Sequence, residues 1–119
     1  MVKAAIIGCG KIAQVRHIPE YLEHQAVNLV GFYDLNEKRA EELAEKYGGK
    51  AYGSVEELLA DPQIDAVSIC TANHTHAELT IKALKAGKHV LCEKPMAITL
   101  EECQRMVECA EENHRKLLI

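Results

Sequence analysis

A glycine-rich hexapeptide near the start of the chain has the spacing of a phosphate-binding turn. Residues 8–13 read GCGKIA and fit the pattern G-x-G-x-x-G/A directly after an apolar, strand-like run. Gly8 would allow a tight turn, Gly10 would let the backbone approach a pyrophosphate, and the small Ala13 would let the next helix pack on the strand. The free N–H groups at the start of that helix favour an anion. We therefore predict dinucleotide binding at Gly8, Gly10, Lys11 and Ile12, the alternative being a purely structural glycine turn.

An acidic residue stands where it can select the cofactor. Asp34 ends the second apolar run, about twenty residues after the glycine motif. A carboxylate there accepts hydrogen bonds from both ribose hydroxyls of NAD, whereas NADP carries a 2′-phosphate. A phosphate about 4 Å away would cost on the order of 4 kcal/mol per charge at an effective dielectric constant of about 20. Lys38 and Arg39 could soften this repulsion, but we interpret them as a solvated helix face, so NAD is predicted in preference to NADP.

Two later apolar runs also end in polar residues. Residues 66–70 run into TANH at 71–74, and residues 90–92 run into Glu93, Lys94 and Pro95. Because the carboxyl ends of parallel strands meet at one edge of an open sheet, these residues should share a cleft with the glycine turn. A lysine beside the nicotinamide can bond a ribose or substrate hydroxyl. Lys94 is therefore a candidate catalytic residue on a turn fixed by Pro95; the alternative is a surface Glu–Lys pair on a proline turn.

The elements that would position these residues alternate between short apolar runs and amphipathic stretches. This alternation predicts an α/β fold with a doubly wound parallel sheet, a Rossmann arrangement of three α/β/α layers with strand order 3-2-1-4-5-6. Strands are predicted at residues 3–7, 28–33, 50–52, 66–70 and 89–92, and residues 116–119 resemble the opening of a sixth strand that is cut short.

Two helices are predicted in the first half of the chain. The first should bury Ile12, Val15 and Leu22, and it should kink or restart at Pro19, which cannot continue the helical hydrogen bonding. The second should span residues 37–47 and end at a pair of glycines beginning with Gly48.

Three capping boxes predict the starts of the later helices. They begin at Ser54, Thr75 and Thr99, each followed three residues later by a glutamate. The last helix is predicted to bury a stripe made of Leu100, Cys103, Met106, Val107 and Ala110.

Length and composition limit the class of protein. The chain has 119 residues, enough for one domain (residues 1–119), and its 48% hydrophobic and 27% charged residues are typical of a globular protein. A net charge of −4 and a pI near 5.9 argue against a nucleic-acid or membrane surface. No apolar run approaches the ~20 residues of a membrane span, and no signal peptide is evident, so a cytoplasmic protein is expected.

The cysteine and histidine residues do not form a recognisable metal pattern. The five cysteines are odd in number and lack paired spacing, so reduced thiols are expected rather than disulfides. His74 and His76 lie near Cys70 and Cys92, but a third ligand at the usual spacing is missing. Helix capping and hydrogen bonding in the cofactor loop explain these histidines better, so no metal is expected.

Several stretches of the chain resemble one family of oxidoreductases. They are IIGCGKIAQVRHIPEY, YDLNEKRAEELAEKYG, CTANHTHAELTIKALKAGKHVLCEKPMA and the final helical stretch. Together they resemble the Gfo/Idh/MocA family, the relatives of glucose-fructose oxidoreductase and inositol dehydrogenase, whose signature after the fifth strand is similar to AGKHVLCEKP. The resemblance implies a nucleotide-binding Rossmann domain followed by a substrate domain. It also implies oxidation or reduction of a hydroxyl on a sugar or cyclic polyol.

The resemblance further implies roles for individual residues. Lys94 looks like the family's active-site lysine, which contacts the substrate and the nicotinamide ribose. The cofactor-cleft residues implied in the same way are Glu93, Thr71, Ala72, Asn73 and His76, with Ala72 standing where many members have proline. The family's proton-handling Asp and His lie in the second domain. This chain alone is therefore expected to bind NAD without turnover, and the full-length protein is expected to be a homo-oligomer.

The last residues bear on the domain organisation. The chain ends on the apolar run Leu117, Leu118, Ile119, whereas natural termini are usually polar. We interpret it as the front part of a longer protein without its substrate domain, the alternative being a complete small domain. The leading functional hypothesis is a sugar or polyol dehydrogenase. A non-catalytic nucleotide-sensing or interaction module is the alternative, and an adenosylmethionine-dependent methyltransferase ranks behind both because it has no role for residues 93–95.

Overall fold

A computed structural model describes residues 1–119 and contains a six-stranded parallel sheet. The strand order is β3-β2-β1-β4-β5-β6, and every neighbouring pair is parallel. The strands are β1 (Val2–Ile7), β2 (Val27–Tyr33), β3 (Lys50–Ala51), β4 (Ala66–Ile69), β5 (His89–Cys92) and β6 (Leu117–Leu118). The predicted order 3-2-1-4-5-6 is therefore confirmed.

Helices connect the strands. A π-helical turn, Ala13–His17, continues directly into α1 (Ile18–Glu23), and a 3-10 turn, Asn73–Thr75, precedes the fourth helix. The other helices are α2 (Glu37–Tyr47), α3 (Val55–Ala60), α4 (His76–Lys85) and α5 (Leu100–Glu112). None of these helices has the length and apolar character needed to cross a membrane.

Alternate residues of β1 point into two separate cores, one on each face of the sheet. Ala4 and Ile6 pack with residues of α1 and α2 on one face. Ala5 and Ile7 pack with residues of α3, α4 and α5 on the other face. Because a strand covered on both faces buries every side chain, it reads as a continuous apolar run. The predicted three-layer α/β/α arrangement is confirmed.

The sheet reverses its winding between β1 and β4. Ile7 pairs with Ile69, and the Cys70 N–H donates to the Ile7 carbonyl at 2.8 Å, so the two strands end side by side. Gly8 follows β1 with a φ of +94°, and a Cβ there would lie 2.7 Å from the Cys70 carbonyl carbon. Only glycine fits both constraints. The connections that leave the two strands turn to opposite faces and leave a crevice at this edge.

The buried face of the first helical segment differs from the predicted one. Ile12, Val15 and Leu22 are 37%, 54% and 52% exposed, whereas the buried residues are Ala13, His17 and Ile18. The physical reason is that small Ala13 packs against the sheet, and the wider π-helical turn shifts the following inward positions. The predicted restart near Pro19 is confirmed, because regular α-helix begins one residue earlier.

Two of the three predicted cap residues cap their helices. The Thr99 hydroxyl accepts the Glu102 N–H at 3.1 Å, and the Glu102 carboxylate accepts the Thr99 N–H at 3.1 Å. Ser54 also accepts a backbone N–H of its own helix. The helix predicted after Thr75 does begin at His76, but the predicted side-chain cap is wrong, because the Thr75 hydroxyl donates to the Ala72 carbonyl at 2.6 Å within the 3-10 turn that precedes α4.

The last helix buries a narrower stripe than predicted. Leu100 and Val107 are 75% and 46% exposed, and the buried residues are Met106, Cys109 and Ala110. These three have the i, i+3, i+4 spacing of one narrow helix face. Because α5 lies near the β6 edge of the sheet and packs mainly on α4, only this strip is covered.

Candidate functional site

Backbone hydrogen bonds hold the glycine turn against the end of β2. The Gly8 N–H donates to the Tyr33 carbonyl at 2.8 Å, and the Cys9 N–H donates to Asp34 Oδ1 at 2.8 Å. Gly10 differs from Gly8, because a Cβ at this position would meet no atom within 4 Å. The turn is therefore fixed by packing at Gly8 and open above Gly10, where a phosphate group has room to approach the backbone.

Asp34 is fixed by backbone donors and retains acceptor capacity. Its Oδ1 accepts the Cys9 N–H and its Oδ2 accepts the Asn36 N–H, both at 2.8 Å. An ionised carboxylate offers about four lone-pair sites, so about two remain for ligand hydroxyls. The Arg39 guanidinium lies 3.9 Å from Oδ2 and is 45% exposed. One cation of the predicted solvated helix face is therefore close to the candidate ribose acceptor.

These groups line one cleft at the carboxyl edge of the sheet. The cleft has a volume of about 310 Å³, and the residues around it include Gly8, Gly10, Asp34, Arg39, Thr71 and Ala72. Leu35 and Thr71 also border an adjoining, more apolar cleft that reaches Leu79. An open glycine turn, a fixed carboxylate and an apolar flank suit the phosphates, ribose and flat ring of a dinucleotide.

Six of the predicted cofactor residues do not line this cleft, and three of them lie at the starts of the helical turns beside it. Lys11 and Ile12 open the helical segment after the glycine turn, and Asn73 begins the 3-10 turn after β4. All three are exposed. Ile12 borders a second cleft instead, together with residues that follow β5.

His76 lies beneath the cleft and not on its surface. The side chain is 1% exposed, with Nδ1 2.7 Å from the Pro95 carbonyl oxygen and Nε2 3.0 Å from the Thr71 carbonyl oxygen. The imidazole thus bridges the two loops that leave β4 and β5. It can act on a ligand only through the loops that it holds.

The residues after β5 border the second cleft. This cleft has a volume of about 360 Å³ and is lined by His17, Tyr21, Glu93 and Lys94, among others. The Nε2 atom of His17 lies 2.6 Å from Glu93 Oε2, and this hydrogen bond lowers the pKa of Glu93 below its ordinary value. Lys94 is exposed and precedes a cis peptide bond to Pro95. Glu93 is therefore held from within the protein, while Lys94 faces outward.

Sequence reasoning missed three polar residues beside this cleft. His17 is 7% exposed, and its Nδ1 lies 3.1 Å from Ser68 Oγ, which in turn lies 2.5 Å from Tyr21 Oη. The signal that could have found His17 is its position four residues after Ala13, on the inward face of the helical segment. The wrong face predicted for that segment concealed it.

Buried thiols surround the strand ends without being reactive. Burial raises the pKa of Cys9 and of Cys70 to about 12, and burial also raises the pKa of Cys92 above its ordinary value. Since the thiolate is the nucleophilic form, these cysteines are uncharged at neutral pH and are poor candidates for nucleophiles.

Comparisons with known proteins agree with this geometry. Residues 2–119 match the Gfo/Idh/MocA family model, described as an oxidoreductase family with an NAD-binding Rossmann fold. The chain is 39% identical to myo-inositol 2-dehydrogenase of Thermotoga maritima, over 90% of this chain and 32% of that protein. It is 40% identical to glucose-6-phosphate 3-dehydrogenase of Bacillus subtilis, over 93% of this chain and 31% of that protein.

A solved structure has the same architecture. It is a 3-ketoreductase from Actinomadura kijaniata in complex with NADP and TDP-benzene, with a TM-score of 0.94 and 30% sequence identity. The alignment covers 98% of this chain and 36% of that one. The chain thus spans about a third of the length of the relatives it matches.

We expect alanine at the two glycines to separate stability from ligand binding. Gly8→Ala would be strained at a φ of +94° and would collide with the Cys70 backbone. Its free energy of unfolding should fall by more than about 2 kcal/mol. Gly10→Ala meets no neighbouring atom and should change this free energy by less than about 0.5 kcal/mol. Urea unfolding followed by circular dichroism measures both values.

Gly10→Ala, which should barely change stability, should instead weaken ligand binding. Gly10→Ala should weaken NADH binding about tenfold, because its methyl group would hold the pyrophosphate away from the backbone N–H groups and weaken a hydrogen bond to a charged group. Fluorescence titration of NADH measures this affinity. Unchanged affinity would contradict the phosphate position, and equal stability losses in the two variants would contradict the packing role of Gly8.

The contribution of Glu93 to stability should depend on pH. Because its pKa is lowered in the folded protein, its carboxylate stabilises the fold above its ordinary pKa, and this contribution is lost as the pH falls below about 4.5. At pH 7, Glu93→Gln should lower the free energy of unfolding by about 1–2 kcal/mol. Below pH 4.5 the free energies of unfolding of the variant and the wild type should become more similar. Urea midpoints measured from pH 7 to pH 3.5 follow this change.

Glu108→Gln is the matched control for this measurement. Glu108 is an exposed residue of α5, so its substitution should change stability by less than about 0.5 kcal/mol throughout. A cost for Glu93→Gln that stayed constant down to pH 3.5 would contradict the role of the ionised carboxylate.

Proposed function

Since the chain belongs to the Gfo/Idh/MocA family of oxidoreductases with an NAD-binding Rossmann fold, we propose that it is the dinucleotide-binding part of an NAD-dependent dehydrogenase. The observation that carries the proposal is the meeting of three strand ends at one edge of the sheet. They bring an open glycine turn, a fixed carboxylate and an exposed lysine to the same edge. The reaction proposed is hydride exchange with a hydroxyl or carbonyl of a sugar or cyclic polyol.

Each strand end has a separate task in this proposal. The backbone around Gly10 receives the pyrophosphate, because nothing occupies the space where a side chain would stand. Asp34 accepts the hydroxyls of the adenosine ribose with its two remaining lone-pair sites. Lys94 donates a hydrogen bond to a hydroxyl of the substrate or nicotinamide ribose. When bound, the nicotinamide ring supplies the hydride acceptor or donor.

The preference for NAD over NADP follows from Asp34. Its carboxylate is 13% exposed and held by two backbone N–H groups, so it cannot turn away from a 2′-phosphate. Arg39 is the opposing influence, because its guanidinium could swing from 3.9 Å beside Asp34 to meet such a phosphate. The 3-ketoreductase holds NADP in a similar fold, so cofactor choice must depend on local residues such as these two.

The substrate class comes from the relatives and not from this chain. Two of them are named for inositol and for glucose 6-phosphate, both polyhydroxylated rings. The chain spans about a third of such proteins. We therefore propose that the residues that select the substrate and handle its proton lie in the remainder of the whole protein. This chain alone should bind cofactor without turnover.

Titration with both reduced cofactors tests the cofactor assignment. We expect NADH to bind at least about tenfold more tightly than NADPH, because the 2′-phosphate repels the Asp34 carboxylate. Asp34→Ser should narrow this ratio, and Arg39→Gln should widen it by weakening NADPH alone. Tighter binding of NADPH by the wild-type chain would overturn the choice of NAD. Absence of binding at millimolar concentrations of both would overturn the proposed function.

The proposed position of Lys94 can be tested without turnover. Lys94→Met should weaken NADH binding about tenfold and leave ADP binding unchanged, because ADP lacks both the nicotinamide and the ribose attached to it. Lys85→Met, which removes an exposed lysine of α4, is the matched control and should change neither affinity. Equal losses for both ligands would contradict a position beside the nicotinamide.

A further inference from the structure

A chain of hydrogen bonds runs from the first helical segment to the residue before Lys94. Tyr21 Oη lies 2.5 Å from Ser68 Oγ, which lies 3.1 Å from Nδ1 of His17. The other ring nitrogen of His17, Nε2, lies 2.6 Å from Glu93 Oε2. Ser68 is fully buried and His17 is 7% exposed. A polar chain this deep in the sheet is stable only when each of its protons is used.

The four side chains can donate their hydrogen bonds in one consistent direction, from Tyr21 toward Glu93. Glu93 has a lowered pKa because of its hydrogen bond to His17, so its ionised carboxylate accepts the Nε2–H. With its proton on Nε2, the ring has Nδ1 free to accept the Ser68 hydroxyl proton. Burial raises the pKa of Tyr21, which keeps the phenol protonated and able to donate to Ser68. Each proton is used once, and the chain ends on the Glu93 carboxylate.

Serine, histidine and a carboxylate also form hydrolytic triads, but this series of hydrogen bonds cannot act as one. Ser68 lies within β4 and is fully buried, so a substrate cannot reach its hydroxyl. Both neighbours of Ser68 Oγ are side chains of the helical segment, Tyr21 and His17. A triad serine instead needs an exposed oxygen beside donors for the oxyanion. The hydrogen bonds therefore serve orientation.

The group being oriented is the turn that carries Lys94. Glu93 is joined to His17 on the side before this lysine, and the Pro95 carbonyl is joined to His76 on the side after it. His17 belongs to the helical segment that follows the glycine turn, within a few residues of Gly10. The two histidines leave the lysine exposed and fix the backbone on either side of it.

We propose that His17 is a positioning residue for Lys94, acting through Glu93 and linking the helical segment of the glycine turn to the turn after β5. The proposal rests on the function proposed above, because that function gives Lys94 its ligand contact. His17 is 7% exposed at the wall of the second cleft, and its two ring nitrogens face Glu93 and Ser68. Its effect is on the orientation of the lysine.

Two substitutions at His17 divide its contacts. The amide nitrogen of Gln reaches about as far as Nε2, so His17→Gln can still donate to Glu93. Asn is shorter and places its amide near Nδ1, so His17→Asn can keep Ser68 but not Glu93. The two variants have similar polarity and differ in the contact that the proposal requires.

Amide hydrogen exchange measures the effect without a ligand. His17→Asn should speed exchange of the amides in residues 93–98 about tenfold, and His17→Gln should stay within about twofold of wild type. Glu93→Ala removes the acceptor of the same contact and should speed exchange in the same residues, which keeps the test decisive if His17→Asn does not fold. Unchanged exchange in residues 93–98, or equal acceleration across the whole sheet, would overturn the proposal.

Ligand binding adds a readout that a purely structural role would not move. His17→Asn should weaken NADH binding about tenfold and ADP binding less than twofold, because ADP lacks the nicotinamide and its ribose, and His17→Gln should restore the NADH affinity. Equal losses for both ligands, or no recovery in His17→Gln, would overturn the positioning role. Failure of the wild-type chain to bind NADH would overturn the proposed function instead, and the exchange measurement would still decide whether His17 holds the turn.

Discussion

The contact between the ends of β1 and β4 is the constraint on which the rest of the site depends. A side chain at residue 8 would lie 2.7 Å from the Cys70 carbonyl carbon, so glycine lets these two strand ends meet. Because both connections then leave toward opposite faces, the crevice opens at this point and nowhere along the strands. The position of Asp34 follows from the same contact, since the glycine turn is hydrogen-bonded to the end of β2.

Buried side chains also hold in place the loops that carry the exposed groups of the site. Gly10 and Lys94 present open space and an exposed amine, while the residues that determine their positions are covered. His76 joins the loops after β4 and β5, and His17 joins the helical segment to Glu93. A side chain that meets a ligand can then keep its mobility, because the backbone that carries it is fixed from below.

Sequence patterns predicted the strand order, the glycine turn and the position of Asp34 because these follow from alternation and local spacing. Patterns failed where one element depends on another. Ile12 was predicted to be buried because the segment was treated as a regular α-helix, whereas small Ala13 packs against the sheet and the π-helical turn that begins there brings His17 inward. Thr75 matched a capping box in sequence, but a 3-10 turn had already used its hydroxyl. Contacts such as that between His17 and Glu93 join residues far apart in the chain, and no local pattern reports them.

The strength of cofactor discrimination depends on rigidity as much as on charge. A free carboxylate facing a 2′-phosphate would rotate away or be neutralised, and most of the repulsion would disappear. Asp34 cannot rotate without breaking hydrogen bonds from Cys9 and Asn36, each of which supplies a backbone N–H at 2.8 Å. Moving it would leave the N–H of buried Cys9 unpaired, at a cost of about 1–3 kcal/mol for that donor. Arg39 is 45% exposed and has no such restraint, so a charge change at Arg39 can tune the preference whereas only a change at Asp34 can remove it.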